Sequence, residues 1–157
     1  MRIEKGSKLL IIRYSDFLMK GCIRLHMDVL EKKGYVWFGK VGKQKPSNKF
    51  VKLTLQETKP RIILHSSTKD YLCDISEVSY ERPEEGYPDY YNTVLFANNN
   101  NPSIYFKIIS FFFIDHRYLQ HFVVNGSRNK LPYSLQGSMN SLFFIECIES
   151  IDEEEVN

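Results

Sequence analysis

Cysteine pairing is the first thing this 157-residue chain lacks: Cys22, Cys73 and Cys147 are odd in number, widely separated and never in a Cys-x-x-Cys spacing. That excludes a disulfide framework and a zinc knuckle, and leaves each thiol to be read as a small buried hydrophobe among apolar neighbours. Long apolar runs are missing as well. The longest, from 108 to 114, is interrupted by Ser110, well short of the roughly 18–20 residues that cross a bilayer. The opening Met1-Arg2-Ile3-Glu4-Lys5 has no signal-peptide core, so a cytoplasmic protein with no membrane partner is expected.

Catalytic constellations are just as scarce. His26, His65, His116 and His121 show no His-Glu-x-x-His spacing, and no metal site or cofactor is expected from it. Gly39-Lys40-Val41-Gly42-Lys43 lacks the order of a phosphate-cradling P-loop. The Glu-x-Lys phrases at 31–33 and 57–59 precede Pro88-Asp89 instead of following it, which is the wrong order for a nuclease. Cys22 and His26 stand one helical turn apart like a nucleophile and base, yet no third orienting group accompanies them. No catalytic residue is assigned, and an enzyme is not expected.

Acidic residues are absent from one stretch, and there the chain becomes informative. Between Lys32 and Lys52 there are seven lysines and no Asp or Glu, so this segment carries +7 while the rest carries 14 − 19 = −5. The net charge of +2 therefore hides strong polarisation. Within the segment, Gly34-Tyr35-Val36-Trp37-Phe38-Gly39-Lys40 sets the single tryptophan among other aromatics, glycines and lysines. Positive charge interleaved with flat rings suits a polyanion whose bases can stack. The plainer reading is a solvated lysine face beside an apolar strand. Tyr35 and Trp37 alternate and so share a strand face, which serves equally as core or as cage.

Periodicity organises the remainder into one domain over residues 1–150, followed by an acidic tail over 151–157 expected to fray. Strands are expected at 8–14, 35–41, 61–67, 71–80, 103–114 and 141–148, with a short extended piece at 123–125. Apolar residues at 22, 23, 26, 29 and 30 predict a helix over 22–33 closed by Gly34. A second helix begins at Pro46-Ser47 and stops at Lys59-Pro60, and a short one is expected over 116–122. From 81 to 102 the composition turns to Pro, Gly, Asn and Tyr, a long loop whose aromatics could meet a partner.

The phrase His26-x8-Tyr35-Val-Trp-Phe-Gly-Lys, with a helix before it and Ser138-Met139-Asn140 near the end, resembles the PUA-like superfamily. It is most similar to EVE-type and related reader domains found beside restriction and phage-defence enzymes. The Gly-Val-Arg-Asn and amino-terminal Trp-Leu-x-Lys-Ser phrases of typical EVE domains are absent. The resemblance implies an α+β domain: a curved mixed or antiparallel β-barrel with two or three flanking helices and a pocket for one flipped, often modified, base. Such a pocket needs ring walls, polar atoms at the base edge and a basic rim. The expected base-binding residues are Tyr35, Trp37, Tyr87, Tyr90, Tyr91, Asn125, Ser138 and Asn140, with Trp37 as the preferred wall. Lys40, Lys43, Lys45 and Lys49 are the expected phosphate-binding residues. Nucleic acid, DNA or RNA, is the expected partner. The alternative is a regulatory module that docks a protein through the Tyr-rich loop 80–102.

Overall fold

In a computed structural model that describes residues 1–153, the chain forms a seven-stranded mixed sheet with helices on both faces. The strands are β1 (Arg2–Ile3), β2 (Lys8–Arg13), β3 (Val36–Lys40), β4 (Arg61–His65), β5 (Asp70–Ser79), β6 (Ile104–Ile114), β7 (Phe122–Val124), β8 (Leu142–Cys147) and β9 (Ile151–Asp152). The α-helices are α1 (Cys22–Lys33), α2 (Asn48–Leu55) and α3 (Leu131–Gly137). A π-helical turn spans Tyr91–Phe96, and a 3-10 helix spans His116–His121.

The sheet runs β3-β6-β5-β4-β2-β8-β7, and only β2 and β4 are parallel. The α+β expectation holds, but β3 and β7 stay apart as two edges, so the expected barrel is not a closed one. Central strand β2 explains its own composition. Leu10 and Ile12 point into one core while Leu9 and Ile11 point into a second, and all four are buried. A strand covered on both faces reads as a continuous apolar run.

The first core packs beneath α1 and α2, where Ile23, Val51, Phe38 and Phe106 meet and Phe50 stacks on Phe144 at 4.4 Å. Gly34 ends α1 with φ 81°, and its N–H closes the last turn on the Leu30 carbonyl. Ser47 caps α2 by accepting from the Phe50 N–H. The second core lies on the opposite face under α3 and the 3-10 helix, with Leu119 and Leu131 buried. There β1 pairs with β9, so the first two residues of the expected tail are strand, while residues 154–157 lie outside the described residues.

Edge strand β3 is covered by the connection from 81 to 102, which was expected as a long loop. The outward N–H of Trp37 donates to the Gly86 carbonyl at 2.7 Å, and that of Gly39 donates to the Tyr91 hydroxyl at 2.9 Å. Both exposed donors of the edge are thereby satisfied, which removes a template for unwanted pairing. The connection is held because Tyr91 and Leu95 are buried, with Tyr87 stacked on Tyr91 at 5.6 Å. No helix among the described residues is long and apolar enough to cross a membrane.

Candidate functional site

A cleft of about 500 Å³ opens where β2 ends and β3 turns toward α2. Its walls are Tyr14, Phe17, Phe38 and Tyr90, with Cys22 and Lys40 between them. Phe17 and Leu18, in the turn from β2 to α1, stand 90% and 44% exposed at its side. The Phe17 ring and the Leu18 side chain thus add uncovered apolar surface to this opening.

Lys40 is the unusual wall residue. It is 2% exposed, and its Nζ reaches only the Val41 carbonyl, at 3.4 Å. No carboxylate pairs with it among the described residues, and burial lowers its pKa from the ordinary lysine value. An ammonium so placed lacks a counter-charge. Arg13, also in the wall, is already engaged: its guanidinium donates to the carbonyls of Leu135, Ser138 and Asn140.

Behind the cleft, His26 is fully buried and fully bonded. Nδ1 lies 2.7 Å from the Cys22 carbonyl, which can only accept, so Nδ1 carries the proton and Nε2 accepts from the Tyr91 hydroxyl at 2.6 Å. Desolvation lowers the His26 pKa to about 4. The Cys22 thiol donates to Asp16 at 3.2 Å; burial, then that bond, push it up to about 12. The apparent nucleophile and base therefore do not engage each other, and the thiol is held in its unreactive form.

Of the expected base-binding residues, only Tyr90 lines this cleft. Trp37 does not, because the pleat that turns Phe38 and Lys40 toward the cleft turns Trp37 to the other face. There Trp37 and Tyr35 lie under the Lys107 ammonium, whose Nζ is 5.9 and 4.5 Å from their ring centroids. Tyr91 is in the core with its hydroxyl consumed, and Tyr87 backs it. Asn125 follows β7, its N–H on the Phe144 carbonyl. Ser138 and Asn140 lie outside this cleft's lining, and their backbone carbonyls accept from Arg13. Among the expected phosphate-binding residues, Lys40 enters the wall, Lys43 and Lys49 are exposed, and Lys45 settles 5.5 Å from the Tyr80 ring.

A second cleft adjoins across Arg13 and Tyr14, lined by His65, Ser66, Ser67, His116 and Gln120. Here the completely buried Asp70 holds two histidines, one on each carboxylate oxygen: Nδ1 of His65 at 2.5 Å and Nδ1 of His116. The hydrogen bond to Asp70 is the main cause of a raised His116 pKa, with partial burial opposing it. Sequence spacing missed this cluster, since strand register assembles it. His65 and Asp70 are cross-strand partners, and Asp70 also faces Ile114, two residues before His116. The one available signal was a histidine and an aspartate flanking the Ser-Ser-Thr-Lys turn.

Fold and clefts define a small α+β domain with two adjoining polar-aromatic clefts at the carboxyl ends of β2 and β4. Comparison with known proteins adds no relative: no family model, curated protein or solved structure matches the chain.

Proposed function

We propose that the chain binds nucleic acid and accepts a single base in the cleft bounded by Tyr14, Phe17, Phe38 and Tyr90. The observation that carries this is Lys40, an ammonium set in an aromatic wall without an acidic partner among the described residues. A nucleotide offers both missing components, a flat ring for the walls and an anionic phosphate for the lysine. Lys43 and Lys45 follow on the connection after β3 and Lys49 in the first turn of α2, and they suit the flanking backbone. The resemblance to PUA-like base readers supports the same reading, although this sheet is open. Docking of a protein through 80–102 has less to draw on, because Tyr91 is buried and Tyr87 is stacked on it.

Fluorescence anisotropy with labelled single-stranded DNA and RNA tests the reading. Engaging about four phosphates gives a log–log salt slope near −3. Phe17→Ala removes an exposed ring without opening the core, and should weaken binding about 5- to 150-fold. Lys40→Met should weaken it too and flatten the slope. Salt-insensitive binding, or equal affinity in Phe17→Ala, would sink the proposal.

A further inference from the structure

Asp70 raises a charge problem that the nucleic-acid reading leaves untouched. It is 0% exposed, and no lysine or arginine pairs with it among the described residues. A carboxylate taken out of water needs compensating positive charge or a full set of donors. Its partners are two imidazoles, both presented through Nδ1, and the three donor groups converge so closely that their ligand atoms lie within 4.8 Å of one another. The backbone holds them there. The hairpin turn fixes His65 opposite Asp70, with the Thr68 and Lys69 N–H groups tied to Ser66 Oγ, and Asp115 caps the helix that presents His116 by accepting from the Arg117 N–H.

The geometry points to a mononuclear site for a divalent transition-metal ion, zinc being the best match, held by Nδ1 of His65, Nδ1 of His116 and the Asp70 carboxylate. Two nitrogens and one oxygen suit a borderline ion, whereas magnesium and calcium favour oxygen donors. Three protein ligands leave one position of a tetrahedral ion unfilled, the count found where zinc keeps a water; structural zinc takes four. That position opens on the second cleft, which both histidines line and where the His116 side chain is 41% exposed. A water or a small anion completes the coordination.

The full chain, first dialysed against a chelator, is titrated with zinc chloride by calorimetry and with cobalt(II) followed by visible absorption. One equivalent of each should bind, cobalt with the intense bands of a low-coordinate site. His116→Ala should lower zinc affinity by more than about 100-fold, beyond the loss seen when only an outer-shell partner is removed. His121→Ala removes a histidine outside the cluster and should leave binding unchanged, with thermal melting of both variants as the check on folding. If His116→Ala melts early, His116→Gln takes its place, keeping a polar side chain without the imidazole. Folded wild-type protein that binds neither ion overturns the site. So does binding that survives loss of the His116 imidazole or disappears with His121. Asp70 would then be the hub of a purely hydrogen-bonded His–Asp–His arrangement.

Discussion

Burial of His26 between the Cys22 carbonyl and the Tyr91 hydroxyl lowers its pKa from the ordinary 6.5 to about 4, a restraint the unfolded chain does not share. Between those two values the unfolded state takes up a proton that the folded state refuses. Stability from this residue is therefore fully present above about pH 6.5 and declines as pH falls toward 4, by about 1.4 kcal/mol per pH unit. Urea midpoints measured across that window should drop with acid in the wild type. His26→Gln, less stable overall, should show a shallower drop. Equal slopes would mean that His26 takes up a proton in the fold and that its hydrogen bonds rearrange to allow it.

Among the elements, β3 depends on a contact that no side chain can replace. A Cβ added at Gly39 would stand 2.5 Å from Cγ and 2.8 Å from Cβ of Pro102, and 3.0 Å from the Tyr105 ring. Gly39→Ala should cost about 1–3 kcal/mol through overpacking, read by chemical denaturation; a loss too small to measure would show that the 81–102 connection yields. The surroundings of this strand also mark what the sequence made legible. Helix α1 and its Gly34 cap follow from an unbroken apolar period, and β2, β4 and β6 from apolar runs. Helix α3 escaped notice because Leu131 is its only buried residue and it has no side-chain cap. The π-helical turn is held by burial of Tyr91 and Leu95, not by local propensity. For the cleft, Lys40 and Tyr90 were legible as charge beside aromatics. Trp37 was not, because alternation tells which residues share a face but not which face meets an opening. His65, Asp70 and His116 were invisible to spacing rules, since the register of β4, β5 and β6 and the 3-10 helix that follows β6 bring them together.

For the molecule as a whole, β1 and β9 tie the two ends of the described chain together across the second core. Ile3 and Ile151 are both buried there, in register with each other, and the Arg61 guanidinium braces the pair by donating to the Arg2 carbonyl at 2.6 Å. Ile151→Ala should cost about 2–5 kcal/mol, as other buried truncations do. Unchanged thermal stability would mean that the pairing is incidental to the fold. The strand order carries a further consequence, for the time course of synthesis. Strand β2 finds one neighbour in β4, but its other edge pairs with β8, so Lys8 waits for Glu146. While the ribosome is still adding residues, one hydrogen-bonding edge of this strand, whose four apolar residues are buried on both faces, stays uncovered, and no local pairing can close it early. Such long-range closure slows folding and exposes the nascent chain to aggregation. Residues up to β8 must be made before this interior strand is covered on both edges.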